Sequence, residues 1–218
     1  MTEKKKRNPR YVTDVGVAIY PYLTAPDTKF NADGEYKVKL RLNPDSMIRD
    51  VQGREIADVQ TFLDDMMLKA LEKAKAENKG RIKEGDPPYI IDDETGDLLV
   101  NFKLKAVVRT KEGSTFSQKP ALFDAKGKPI TPESIWGGSK IKVSFEVVPY
   151  YTKIAGAGVT LRLRAAQVLE LVTGGSGGSA ESYGFGEEEG YEADDEAANA
   201  GFAEAAEDEE VGYEDGDF

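Results

Sequence analysis

The chain has 218 residues, enough for one substantial hydrophobic core or two small ones. It contains no cysteine and no histidine, which excludes disulfide frameworks, zinc sites built on thiolate or imidazole, and histidine-based catalysis. Its net charge of −11 hides a division: all 29 Lys and Arg lie at or before Arg164, whereas 16 of the 40 Asp and Glu lie between Gly174 and Phe218, so 24 acids face 29 cations in the body and leave it at +5.

Such asymmetry within one chain points to a polyelectrolyte partner. No apolar run approaches the roughly 20 residues of a membrane span. The basic start, Met1–Arg7, is followed by no apolar signal region, so a soluble cytosolic protein is the default expectation.

Residues 1–10 read as a basic arm. The first predicted strand covers Tyr11–Tyr22, with Val15, Val17 and Ile19 alternating as its inward face. After a turn-rich stretch from Ala25, the second runs over Glu35–Leu42, where Tyr36, Val38, Leu40 and Leu42 alternate with Lys37, Lys39 and Arg41. Asn43, Pro44 and Asp45 end it. Apolar residues recur at three- and four-residue spacing from Ile56 to Asn78, which predicts a helix stopped near Gly80. Arg81–Gly96 reads as a loop with Pro87, Pro88 and the acidic run Asp92–Glu94. Strands are expected again at Leu98–Thr110, Thr115–Phe123, Lys140–Thr152 and Val159–Val172. The pattern is mainly β with one sizeable helix, suited to an OB-fold-like Greek-key barrel over residues 11–173. Residues 174–180 form a Gly/Ser linker by composition. Residues 181–218, rich in Glu, Asp, Ala and Gly, bury too little apolar surface to offset ordering and are expected to be disordered.

Side chains alternate across a strand, so each apolar face has an opposite face. Four predicted strands place Lys37, Lys39, Arg41, Lys103, Lys105, Arg109, Lys140, Lys142, Arg162 and Arg164 there, against a single carboxylate, Glu146. A solubilising surface ordinarily mixes both signs. A one-sign face instead suits a phosphate backbone, whose condensed counterions are released as each charge is neutralised. Tyr20, Tyr22, Tyr150, Tyr151, Phe116 and Trp136 border these stripes or sit in neighbouring loops, and unpaired bases stack on aromatic rings. Each ring taken singly is better explained by core or rim packing. The set together predicts a groove for single strands rather than duplex.

The tail forms a second element. Tethered to a basic groove, it can compete with nucleic acid for that groove. Its tip, with Asp215, Asp217 and Phe218, joins an aromatic ring to a carboxylate and suits a pocket with an apolar floor and a basic rim.

The segments Gly16–Leu23, Ile135–Ser139 leading to Pro149–Tyr151, Gly158–Val159 leading to Ala166–Val168, and the acidic end Glu214–Phe218 together resemble the single-stranded-DNA-binding proteins of tailed bacteriophages. The resemblance implies an OB-fold body and an aromatic-terminated acidic tail. It also implies sequence-independent binding of single-stranded DNA in replication, recombination and repair. Polymerase, helicase or primase would be docked through the tail, in the cytoplasm of an infected bacterium. No cofactor and no enzymatic step are implied, and a homo-oligomer is left open. One departure stands: the helix follows the second strand rather than the third, so either a strand near Val51–Ile56 is missing from this reading or the fold is a variant. Three other readings compete. A metal-dependent nuclease would use Asp64, Asp65 and Asp92–Glu94. A cold-shock-type module would bind RNA. A DNA mimic or histone chaperone would act through the tail alone.

Overall fold

The computed structural model describes residues 8–78, 81–110, 113–132 and 134–173. Among these the elements are β1 (Arg10–Thr13), β2 (Gly16–Asp27), β3 (Glu35–Leu42), β4 (Met47–Asp50), β5 (Glu55–Asp58), α1 (Val59–Glu77), β6 (Tyr89–Ile91), β7 (Leu98–Lys105), β8 (Val107–Arg109), β9 (Thr115–Ser117), β10 (Ala121–Phe123), β11 (Lys140–Thr152) and β12 (Gly156–Glu170). The linker at 174–180, the tail at 181–218 and residues 1–7 of the basic arm lie outside the described residues.

The five longest strands close on themselves. β2, β3 and β7 form an antiparallel meander; β7 pairs in parallel with β12; β12 returns antiparallel to β11, which pairs with β2. Closure in that order, with one parallel pair, is the OB-like Greek-key barrel expected from the alternating pattern. Shorter strands extend its rims: β1, β4 and β5 beyond β11, β6 on β7, and β10 on β12. β8 and β9 form a separate two-stranded ribbon.

Inside the barrel the apolar faces of β3, β7, β11 and β12 meet, with Leu40, Phe102, Phe145 and Leu161 among the fully buried side chains. Helix α1 lays Val59, Phe62, Leu63, Met67 and Ala70 onto that core. Phe62 stands edge-on to Tyr11 at 4.8 Å between centroids, and Phe145 bridges Phe62 and Phe102 at 6.4 and 5.1 Å. The helix starts where Asp58 accepts a hydrogen bond from the Thr61 amide at 2.8 Å, which satisfies one unpaired N–H of the first turn.

Several boundaries differ from expectation. The first strand is two strands, broken at Asp14 and Val15. In β2 the buried residues are Gly16, Ala18 and Leu23, not Val17 and Ile19, which are half-buried, and Val15 before it is exposed. A Cβ at Gly16 would lie 2.6 Å from the Arg41 carbonyl oxygen, so β2 and β3 approach too closely there for a side chain. The strand predicted over Leu98–Thr110 ends at Lys105, because buried Ala106 turns the chain into β8. Val108 therefore lies outside the barrel core. Thr115–Phe123 divides into β9 and β10. Ile56 belongs to β5 and is exposed, and Tyr89–Ile91 makes a strand inside the predicted loop. A β4–β5 hairpin does span the region near Val51–Ile56, yet it lies on the rim. The helix still falls between the second and third barrel strands, so the fold is a variant.

Candidate nucleic-acid interface

The cross-strand register lines up one row of side chains over six strands. Tyr22 on β2 pairs with Lys37 on β3, Lys37 with Lys103 on β7, Lys103 with Arg162 on β12, Arg162 with Glu146 on β11, and Glu146 with Arg10 on β1. At about 4.8 Å per strand, the row is about 24 Å long. It crosses the strands, as a ligand lying over a barrel face would.

A groove of about 380 Å³ lies beside one part of this row, lined by Tyr20, Tyr22, Phe30, Lys37, Lys39, Asn101 and Lys103. A second, of about 440 Å³, is lined by Lys103, Lys105, Phe116, Thr160 and Arg162. Lys103 belongs to both, so the two grooves adjoin along the outward face of β7. Tyr20 is 77% exposed and Phe30 87% exposed, the largest ring exposures among the described residues.

A β-bulge presents Tyr20. Between the pairs Ile19–Lys39 and Tyr22–Lys37, the two residues Tyr20 and Pro21 oppose Val38 alone. Pro21 has no N–H to leave unpaired in the ladder. Tyr20 adopts φ +47°, the left-handed region, where a side chain raises the backbone energy by about 1–2 kcal/mol. The alternation of β2 is thereby shifted, and Tyr20 and Tyr22 share an outward groove with Ile19 rather than standing opposite it. Both tyrosines are exposed as the sequence predicts, but by a different geometry.

The face is less one-signed than the strand pattern suggests, because loops and strand ends bring carboxylates to it. Lys37 pairs with Asp27 and stands 5.0 Å over the Tyr22 ring; Lys103 lies 3.7 Å from Glu35. Arg41 lies 3.6 Å from Asp92, Arg109 2.7 Å from Asp33, and Lys140 2.8 Å from Glu170. The hydrogen bond from Lys37, helped by the Lys29 amide, holds the Asp27 carboxyl below its usual range. Glu146 takes Arg10, Arg162 and Arg164 at 3.6, 3.5 and 3.4 Å. Lys39, Lys105 and Lys142 pair with no carboxylate among the described residues. Where both partners are solvent-exposed, as for Lys103, Arg109 and Lys140, such a pair contributes about 0–1 kcal/mol, so a phosphate can exchange for the carboxylate there at little cost.

Not every predicted site residue joins this face. Trp136 lies in the loop before β11 and borders neither groove; its indole N–H donates to Ser134 Oγ at 2.8 Å. Arg109 is on the β8–β9 ribbon, and Lys142 lines a separate hollow with Arg10, Ser144 and Gln167. Tyr150 lies across Gly158, where a Cβ would come within 2.7 Å of its hydroxyl oxygen, and Tyr151 packs on Leu71, Ala74 and Ala157 under the helix. These two rings hold the end of the β11–β12 hairpin. The strand alternation points to neither Phe30 nor Arg10. Phe30, an aromatic in a polar turn beside Lys29, carried a signal that alternation alone does not read.

The carboxylates of the nuclease reading are engaged locally. Asp92 Oδ1 accepts from the amides of Glu94 and Thr95 within its own turn. Asp64 accepts from the Tyr89 hydroxyl at 2.7 Å, and burial together with that bond pushes the phenol up to about 12. Among the described residues no three acidic side chains converge as a metal site would need.

Residues 15–171 match the family described as the single-stranded DNA-binding protein of bacteriophage T7. The chain is 31% identical to the single-stranded DNA-binding protein of Enterobacteria phage T3 over 233 residues, covering 95% of this chain and 97% of that one. It belongs to this phage single-stranded DNA-binding protein family.

The corresponding protein of Escherichia phage T7 is also 31% identical, over 91% of this chain and 94% of its own. The crystal structure of gp2.5, a single-stranded DNA-binding protein encoded by bacteriophage T7, superposes with a TM-score of 0.61, covering 86% of this chain and all of that one. The relatives are named as binding proteins, not enzymes. The matched residues 15–171 span the five barrel strands and the row from Tyr22 to Glu146, while Arg10 on β1 lies before them.

Proposed function

We propose that the barrel binds single-stranded DNA without sequence reading as its main mode, and acts in phage DNA replication, recombination and repair. The observation that carries this is the row Tyr22–Lys37–Lys103–Arg162–Glu146–Arg10, with exposed rings in the grooves beside it. The cations meet phosphates and the rings meet bases, a combination that needs unpaired strands. Family membership points the same way.

The acidic tail competes for the same face, and Asp215, Asp217 and Phe218 dock a replication protein such as a polymerase, helicase or primase. Both roles rest on charge and chemistry: 16 carboxylates and no cation follow Gly174. The site of action is the cytoplasm of the infected bacterium.

The test is a salt titration of binding to oligo-dT, oligo-rU and duplex DNA, with and without residues 174–218. Oligo-dT is expected to bind more tightly than duplex, with log K falling by about 0.7 per neutralised phosphate for each unit of log salt. Removing the tail is expected to tighten binding, most at low salt, where screening lengths are long. Equal affinity for duplex and oligo-dT defeats the single-strand reading. Unchanged affinity after truncation at low salt defeats the competing tail.

A further inference from the structure

Within the groove beside Tyr22, one side-chain amide stands among the lysines. Asn101 occupies an outward position on β7, register partner of Lys39 and two residues before Lys103. Its backbone N–H donates to the Pro88 carbonyl at 3.2 Å. Its side-chain amide hydrogen-bonds to no group among the described residues, although it lines the groove. An amide offers a donor and an acceptor side by side, which lysines around it cannot do. That pair matches the N6–H and N7 edge of adenine, as asparagine does when it reads DNA bases.

We propose that this groove is a subsite for a single nucleobase. Tyr20 and Phe30 take the faces of one unstacked base, and the Asn101 amide takes its edge, with adenine preferred over thymine. The proposal rests on the single-strand reading above and adds a base preference to it. Three features support it. The bulge at Tyr20 and Pro21 holds an exposed ring over the groove at a cost in backbone energy, which an unused surface tyrosine would not need. Phe30, in the loop between β2 and β3, lines the same groove and is left exposed by the described residues. Lys103 borders this groove and the next, so a phosphate held there leaves adjoining bases free to enter either one. Stacking accepts any base; the amide distinguishes among them.

Anisotropy titrations of the full chain would compare oligo-dT with the same oligomer carrying one interior adenine. The adenine strand is expected to bind about fivefold more tightly, the lower end of what a bidentate edge contact discriminates. Replacing that adenine by 7-deazaadenine, which keeps the stacking face and removes the N7 acceptor, is expected to abolish the preference. Asn101→Ala and Asn101→Leu are expected to abolish it too, with unchanged melting temperature, because the side-chain amide makes no hydrogen bond among the described residues. Equal binding of both strands by the wild-type chain overturns the subsite, as does a preference that survives 7-deazaadenine or both substitutions. Failure to bind oligo-dT at all would instead overturn the single-strand reading beneath it.

Discussion

Arg162 on β12 faces Glu146 on β11, with its Nη1 3.5 Å from Glu146 Oε2. The other carboxylate oxygen lies 3.4 Å from Arg164 and 3.6 Å from Arg10. The Glu146 side chain is only 10% exposed, whereas the three guanidiniums reach solvent. One shielded negative charge therefore orders three positive ones and leaves the cluster at +2. It fixes the arginines in place and at the same time lowers the potential that a phosphate meets.

Glu146→Gln removes the charge and keeps the shape. Local charge rises to +3, so binding to oligo-dT at low salt is expected to tighten, and the salt slope to steepen by about 0.7 if one more arginine engages a phosphate. The melting temperature should fall, because three guanidiniums lose their shared counter-charge. An affinity unchanged at low salt in the folded variant would mean that the cluster lies off the DNA path.

Tyr20 separates function from stability in the opposite sense. Tyr20→Gly removes an exposed ring and suits φ +47°. Relief of about 1–2 kcal/mol of strain is set against about 0.4–1 kcal/mol of added chain entropy in the unfolded state. The melting temperature is therefore expected to hold or rise, while binding to oligo-dT weakens by about 1–3 kcal/mol through lost stacking. Thermal melts and anisotropy on the same preparation check both halves.

Tyr151 and Gly158 should show the reverse. Tyr151→Ala takes a ring from beneath the helix, and a cost of about 2–4 kcal/mol in stability is expected for its half-buried packing. Gly158→Ala forces Tyr150 from its seat, since the new Cβ would lie 2.7 Å from the hydroxyl oxygen. Denaturant unfolding should report both losses. Affinity in the folded fraction should stay near wild type, and a large loss of affinity at unchanged stability would return these tyrosines to the binding face.

The cap at Asp58 gives a pH signature. Hydrogen bonds from Thr61, the backbone amide first, hold its carboxyl below the usual range. A depressed folded pKa means that the stabilisation is present above the unfolded value of about 3.9 and is lost as pH falls through the lower folded value. Asp58→Ala is expected to cost about 1 kcal/mol at neutral pH. The difference between variant and wild type should shrink below about pH 4, as measured by denaturant midpoints across pH.

What the sequence determined by itself was whatever depends on neighbours along the chain. Strict alternation over Glu35–Leu42 sorted Tyr36, Val38, Leu40 and Leu42 inward and Lys37, Lys39 and Arg41 outward, because a pleated strand has only two faces. The three- and four-residue spacing after Val59 set the helix, and the separation of charge set the acidic tail apart from the basic body. Contacts between distant segments were decided only by the tertiary structure. The bulge that turns Tyr20 outward depends on Val38 across the ladder. The carboxylates that temper the basic face, Asp27, Glu35, Asp92 and Glu170, come from loops and strand ends whose positions alternation cannot specify. Tyr150 and Tyr151 look like a binding platform in one dimension and become packing residues once Gly158 and Leu71 lie beside them. Register, which no local pattern encodes when the partners lie far apart in the chain, is what brings Tyr22, Lys37, Lys103, Arg162, Glu146 and Arg10 into one row.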